Sequence, residues 1–181
     1  NAPSVFMAAM NDVLRGLSFV SVYLDDILIF SKTPEEHITH VETVLNRIKE
    51  NGFFLKLSKC EFLKTSITYL GHLINGDGIM PDSKKLSAVK DWPTPKSILD
   101  VRSFLGLANY FRRYVKSFSE IAVPLINLTK GNVSRRQSST SWIVWTKECQ
   151  QSFDTLKAAL VDAPTLMIPD FNKPFQVIID V

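Results

Sequence analysis

The stretch "FVSVYLDDILIFSK", residues 19–32, sets two adjacent carboxylates, Asp25 and Asp26, between two short apolar runs. Phe19, Val20, Val22 and Tyr23 before the pair, and Ile27, Ile29 and Phe30 after it, are β-branched or aromatic, and neither run is long enough for a helix. This predicts a β-hairpin with the acid pair at or near its tip. A turn that served structure alone would more naturally use Asn-Gly or Asp-Gly, because two-residue hairpin turns need positive φ at one or both central residues. Two carboxylates about 4 Å apart repel by roughly 4 kcal/mol at an effective dielectric near 20. Water relieves that cost in a solvated acidic turn, and a divalent cation would reverse its sign. Both readings are open at this point.

Around the hairpin the chain alternates helices and strands. Residues 3–15 predict a helix, with Pro3 in its first turn, Phe6, Met10 and Leu14 on one stripe, and Gly16 as its stop. "TPEEHITHVETVLNRIKENG" predicts a second, with Thr33 as N-cap, Pro34 at the first helical position, Glu36 closing a capping box, and Ile38, Val41, Leu45 and Ile48 on the buried stripe before Gly52. "GFFLKL" and "ITYLGHLI" read as strands, and "NGDG" as a turn. From Asp82 the pattern is helical. "DSKKLSAVKDW" ends at prolines; "KSILDVRSFLGLANYFRRYVKSF" starts with Ser97 as N-cap and Asp100 at the third position; residues 119–129 form a shorter helix. Residues 131–141 are polar and aperiodic, as in a linker. Thr146 then caps a helix carrying Phe153, Leu156 and Leu160, and "PFQVIIDV" reads as a strand. The strand-to-helix change near residue 82 is the expected domain boundary, and both ends of the sequence read as cuts in a longer polypeptide.

A hydrophobic fraction of 45% with 22% charged residues fits a folded globular chain. There is no secretory leader and no apolar run long enough to span a bilayer, which predicts an intracellular protein without a membrane partner. Cys60 and Cys149 stand in no metal-ligand spacing and are expected as reduced thiols. The net charge of +3 is unevenly spread: residues 82–136 hold eleven Lys or Arg against four Asp or Glu, a local +7 that leaves −4 for the rest. One segment is therefore suited to face a polyanion while another handles cations. His37 and His40 stand three apart in "HITH" with no further ligand cluster, and are expected on a solvated helix face.

"YLDD", Tyr23–Asp26, has the Y-x-D-D form of reverse transcriptases, and the remaining blocks follow in family order. "NAPSVFMAAMNDVL", "LKLSKCEF", "YLGHLI", "DWPTPKSILDVRSFLGLANYFRRYVKSF" and "WTKECQQSFDTLKAAL" resemble the polymerase of gypsy-like long-terminal-repeat retrotransposons over essentially the whole chain. The resemblance implies an α+β fold: a partial polymerase palm with an antiparallel sheet over residues 1–81, a helical thumb over 82–130, and a linker and connection with the start of a ribonuclease H-like domain over 131–181. It implies RNA-directed DNA polymerase activity in a Pol polyprotein, with two Mg²⁺ ions, or Mn²⁺ in their place. The implied partners are an RNA or DNA template with its primer, deoxynucleoside triphosphates and the remainder of Pol; the implied location is cytoplasmic, in a virus-like particle.

Residue by residue, the resemblance makes Asp25 and Asp26 the catalytic metal ligands, Asp25 the direct one and Asp26 the looser. Ala2, Pro3, Phe6, Tyr23 and Lys59 would border the nucleotide and template, with Lys56 a rival to Lys59. A lysine there can neutralise developing charge or donate a proton. Leu70, Gly71 and His72 match the primer grip, where glycine permits close backbone approach. Arg112, Arg113 and Lys116 would face phosphates while Tyr110, Phe111 and Tyr114 enter the core. Asp180 aligns with the first ribonuclease H metal acid. Met7 stands where the family usually has Gln, which weakens one template contact. The family's third polymerase carboxylate lies upstream of Asn1, so the chain alone is expected to be inactive. A non-catalytic nucleic-acid-binding remnant and an α+β interaction module with a solvated acidic turn are the alternatives.

Overall fold

The computed structural model describes residues 2–130, 142–169 and 171–175. The chain divides into two units, Asn1–Tyr69 and Leu70–Val181, each built on its own apolar cluster. The strand-to-helix change near residue 82 falls inside the second unit.

In the first unit, α1 (Ala2–Val13) carries Met10 into the core, and Gly16, at φ +81°, turns the chain out of it. The predicted hairpin forms: β1 (Val20–Tyr23) pairs antiparallel with β2 (Asp26–Ile29) in the register Val20↔Ile29 to Tyr23↔Asp26. Val20, Val22, Ile27 and Ile29 pack beneath the buried Met10, Leu14, Val44 and Ile48. Arg47 of α2 (Pro34–Glu50) donates to the Arg15 carbonyl at 2.7 Å, a cation placed where the chain leaving α1 exposes its last carbonyls.

Two expectations for α2 change in detail. The Glu36 N–H donates to Thr33 Oγ1 (3.2 Å) as predicted, but the Glu36 carboxylate accepts from the Lys32 N–H (3.2 Å) rather than from that of Thr33. The buried stripe runs through Val44 and Ile48, while Ile38 and Leu45 are exposed. Neighbouring positions such as Val44 and Leu45 both satisfy helical spacing, so contact with the hairpin decides which one is covered. "GFFLKL" is not a strand: Phe54 is 97% exposed, and Leu57–Lys59 form a 3₁₀ turn before β3 (Ser66–Tyr69). Aromatic and β-branched residues favour a strand only where a neighbour pairs with and covers them.

In the second unit, β4 (His72–Asn75) pairs antiparallel with β5 (Gly78–Pro81), and Asn75 Oδ1 accepts from the N–H groups of Asp77 (3.0 Å) and Gly78 (3.2 Å) across the predicted turn. "ITYLGHLI" is two strands rather than one, because Leu70 and Gly71 lie at φ +49° and +73° between β3 and β4. The helices follow: α3 (Ser83–Lys90), α4 (Ile98–Tyr110), α5 (Phe118–Leu128) and α6 (Lys147–Val161). Ser97 and Asp100 close a full capping box on α4, and Thr146 accepts from the Cys149 N–H on α6, both as predicted. The helix begun at Ser97 stops at Tyr110; a 3₁₀ turn over Arg112–Tyr114 and left-handed Ser117 (φ +52°) come next. That break lets Phe111, Tyr114, Val115 and Phe118 join Phe104, Leu125, Phe153 and Leu160 in one core. Cys149 is buried and Cys60 half-buried, both as free thiols. Among the described residues no helix is long and apolar enough to cross a membrane. The predicted linker over 131–141 and the strand beyond Phe175 lie outside the described residues.

Candidate functional site

Because Tyr23 pairs with Asp26, the two-residue loop of the hairpin is Leu24–Asp25, so the acid pair straddles the loop and the start of β2. Leu24 takes φ +52° and Asp25 does not have positive φ. Positive φ at the first loop position alone is what a type II′ turn requires, a place normally held by glycine. Both carboxylates are exposed. They open onto a cleft of about 500 Å³ whose lining includes Phe6, Lys56, Lys59 and Tyr69.

The first unit thus brings together Asp25, Asp26, Phe6 and Lys59, along with the rival Lys56, which the 3₁₀ turn holds by a hydrogen bond from the Lys59 N–H to the Lys56 carbonyl (2.8 Å). Phe6 is steadied by an edge-to-face contact with Phe53, centroids 5.9 Å apart. Ala2 and Pro3 occupy the exposed first turn of α1 and do not line the cleft; Tyr23 ends β1 beside the tip, 48% exposed. Among the described residues no group of three or more His, Cys, Asp or Glu side chains converges as a metal site. Asp180 lies outside the described residues.

His37 and His40 are more than solvated. Both Nδ1 atoms meet the Ser31 hydroxyl, at 3.0 and 2.7 Å, and the His40 ring stacks on Phe19 with centroids 3.6 Å apart. They fasten α2 to the outgoing end of the hairpin.

In the second unit, Leu70, Gly71 and His72 are held by the helices that follow. The Tyr110 hydroxyl donates to the Leu70 carbonyl, and the Asp82 N–H donates to the Gly71 carbonyl at 3.1 Å. His72 Nδ1 lies 2.9 Å from the Tyr114 hydroxyl, and its ring stacks on Tyr110 at 5.4 Å. Burial, then the charges of Arg113 and Lys85, push the His72 pKa below its usual value and favour the neutral ring. Burial raises the pKa of the Tyr114 hydroxyl. Arg112, Arg113 and Lys116 are exposed while Phe111 and Tyr114 are buried, the expected division of that segment. Tyr110 is the exception: at 47% exposure it is a surface ring rather than a core residue.

The contributions of Tyr110, Tyr114 and Lys85 to this turn were not read from sequence. The available signal was the choice of tyrosine over phenylalanine at two positions four apart in "NYFRRY", since a partly buried phenol usually finds a hydrogen-bond partner. Lys85 carried no signal of its own.

The model of the family "Reverse transcriptase (RNA-dependent DNA polymerase)" matches residues 1–74, and that of "RNase H-like domain found in reverse transcriptase" matches residues 145–181. Retrovirus-related Pol polyproteins of Drosophila melanogaster from transposon 297 and transposon gypsy are each 35% identical to 99% of this chain. The chain belongs to the reverse transcriptases of retrovirus-related Pol polyproteins. The Transposon Tf2-3 polyprotein of Schizosaccharomyces pombe is 34% identical over 95% of this reverse transcriptase chain. The chain spans 16% of the transposon 297 polyprotein, 18% of the gypsy one and 12% of the Tf2-3 one.

Among solved structures, a foamy viral protease-reverse transcriptase in complex with double-stranded DNA is 31% identical over 94% of this reverse transcriptase chain, with a TM-score of 0.81, and is itself covered over 29%. The foamy viral enzyme in complex with an RNA/DNA hybrid matches 92% of the chain at 31% identity and a TM-score of 0.78, with 22% of that enzyme covered. The mixed helical and antiparallel-sheet architecture expected from sequence is therefore that of a partial reverse transcriptase fold.

Proposed function

We propose that this reverse transcriptase segment supplies the acidic hairpin tip and the primer-side turn of an RNA-directed DNA polymerase. That enzyme extends a primer 3′ end with deoxynucleoside triphosphates on an RNA or DNA template. The observation that carries the reading is the shared cleft of Asp25, Asp26, Phe6 and Lys59. Exposed carboxylates at a tight turn offer the hard oxygen donors that Mg²⁺ or Mn²⁺ takes, so the pair suits two such ions, with Asp25 as the direct ligand and Asp26 the looser one. The described residues hold no third converging ligand, and further donors come from outside them. Divalent ions bound there would offset the charge that develops on the attacking and departing oxygens.

The chain's own side chains do the positioning. Lys59 lies where an ammonium can face a triphosphate drawn to the cleft, neutralising its leaving end or giving it a proton. Tyr23 flanks the tip with an exposed ring and Phe6 walls the cleft, while Ala2 and Pro3, outside the cleft lining on the exposed first turn of α1, would border the template. Leu70, Gly71 and His72 hold the primer, and Arg112, Arg113 and Lys116 meet backbone phosphates. On this reading residues 1–81 serve as palm, 82–130 as thumb and 131–181 as linker, connection and start of ribonuclease H, with Asp180 the first metal acid of that second site. The rest of the Pol polyprotein is its partner, in a cytoplasmic particle.

Primer extension by the Pol protein that contains residues 1–181, with an RNA template, annealed DNA primer and Mg²⁺, tests the reading. Asp25→Asn is expected to abolish extension and Lys59→Ala to slow it, while residues 1–181 alone do not extend the primer. Retained extension by Asp25→Asn would remove Asp25 from the chemistry.

A further inference from the structure

The Lys85 ammonium has an unusual setting. It lies 5.6 Å from the centroid of the Tyr110 ring, and it occupies the space that a side chain at residue 71 would fill, which Gly71 leaves open. Among the described residues no carboxylate is in ion-pair range of it. The two carbonyls of the adjacent turn are already engaged, Leu70 by the Tyr110 hydroxyl and Gly71 by the Asp82 N–H. Burial, then the charges of Arg113 and Lys85, lower the pKa of the neighbouring His72. An ammonium held at this turn by the Tyr110 ring and the gap over Gly71, without a carboxylate partner, is open to an anion. The excess of eleven Lys or Arg over four Asp or Glu across residues 82–136 fits an anion that belongs to a long polyanion.

We propose that Lys85 is a ligand for one phosphodiester of the primer strand, presented at the Leu70–Gly71 turn, and that Tyr110 is its positioning residue. The proposal rests on the polymerase reading above and adds a contact from α3, an element to which that reading gives no role. The Tyr110 ring restricts the lysine by a cation–π contact. Left-handed Gly71 leaves the gap through which the ammonium reaches the turn; any side chain at 71 would displace it.

The test is fluorescence anisotropy of the full 181-residue chain with a labelled primer–template duplex across a salt series. Lys85→Gln is expected to reduce the slope of log affinity against log salt by about one, as for loss of one phosphate contact. Lys90→Gln, the same charge change at the far end of α3, leaves the slope unchanged. Replacing primer phosphates one at a time with neutral methylphosphonate should weaken wild-type binding several-fold at one position near the 3′ end. That position effect disappears in Lys85→Gln and Tyr110→Ala but survives in Tyr110→Phe, which keeps the ring. Equal slopes for wild type and Lys85→Gln, or equal losses for Lys85→Gln and Lys90→Gln, would overturn the proposal while leaving the polymerase reading intact. Absence of salt-dependent duplex binding by the wild-type chain would overturn both.

Discussion

Leu24 and His72 show how single residues bear the cost of placing a site. A leucine at φ +52° occupies a conformation that costs a non-glycine residue on the order of 1 kcal/mol. Glycine would remove that cost, and the turn keeps leucine at the position that aims Asp25. Leu24→Gly is therefore expected to stabilise the chain by up to about 1 kcal/mol in urea unfolding; a loss of stability would mean that the side chain's packing outweighs the strain. His72 works through its protonation. Its folded pKa lies below the ordinary value of 6.5, so the unfolded chain binds the proton more readily. The neutral ring's contribution to stability is complete above pH 6.5 and is lost as pH falls from there through the lowered folded value. Urea midpoints should drop across that window in the wild type and drop less in His72→Phe; parallel curves would show that His72 is not the titrating group.

Where an element begins was legible from a few local residues, and where it ends was often not. Thr33, Ser97 and Thr146 each accept the backbone N–H that their cap position predicts, because a cap depends only on residues within one turn. Ser97→Ala should cost about 1 kcal/mol of stability, measured by thermal or urea unfolding, and no change would show that α4 is held by packing alone. The Lys96 N–H, followed by the Ser97 groups, lowers the pKa of Asp100 in the same box. Its support is present above the ordinary carboxylate value of 3.8 and fades as pH falls below it. The stop at Tyr110, the split strand at Leu70–Gly71 and the absent strand at "GFFLKL" depended instead on distant partners. The Tyr110 hydroxyl reaches Leu70 across forty residues of sequence, and no window of apolar spacing contains that contact.

Over the whole molecule, the proposed chemical residues were legible in the sequence more fully than the side chains that support them. The Asp25–Asp26 pair stood out from the apolar runs around it and Lys59 from the family resemblance, and all three line one cleft. Tyr110, Tyr114 and Lys85 were passed over as core or surface because their roles appear only once the turn at Leu70–Gly71 is folded. The uneven charge was legible at once, since it needs only a count: the basic segment lies in the second unit and the acidic tip in the first.

The central claim is that the hairpin tip binds divalent metal. It is tested most directly by titrating the isotopically labelled chain with millimolar Mn²⁺ and following paramagnetic broadening of backbone amide signals. Broadening is expected to be strongest at residues 24–27 and to disappear from them in Asp25→Asn. Broadening centred elsewhere, or unchanged in Asp25→Asn, would contradict a metal role for the pair.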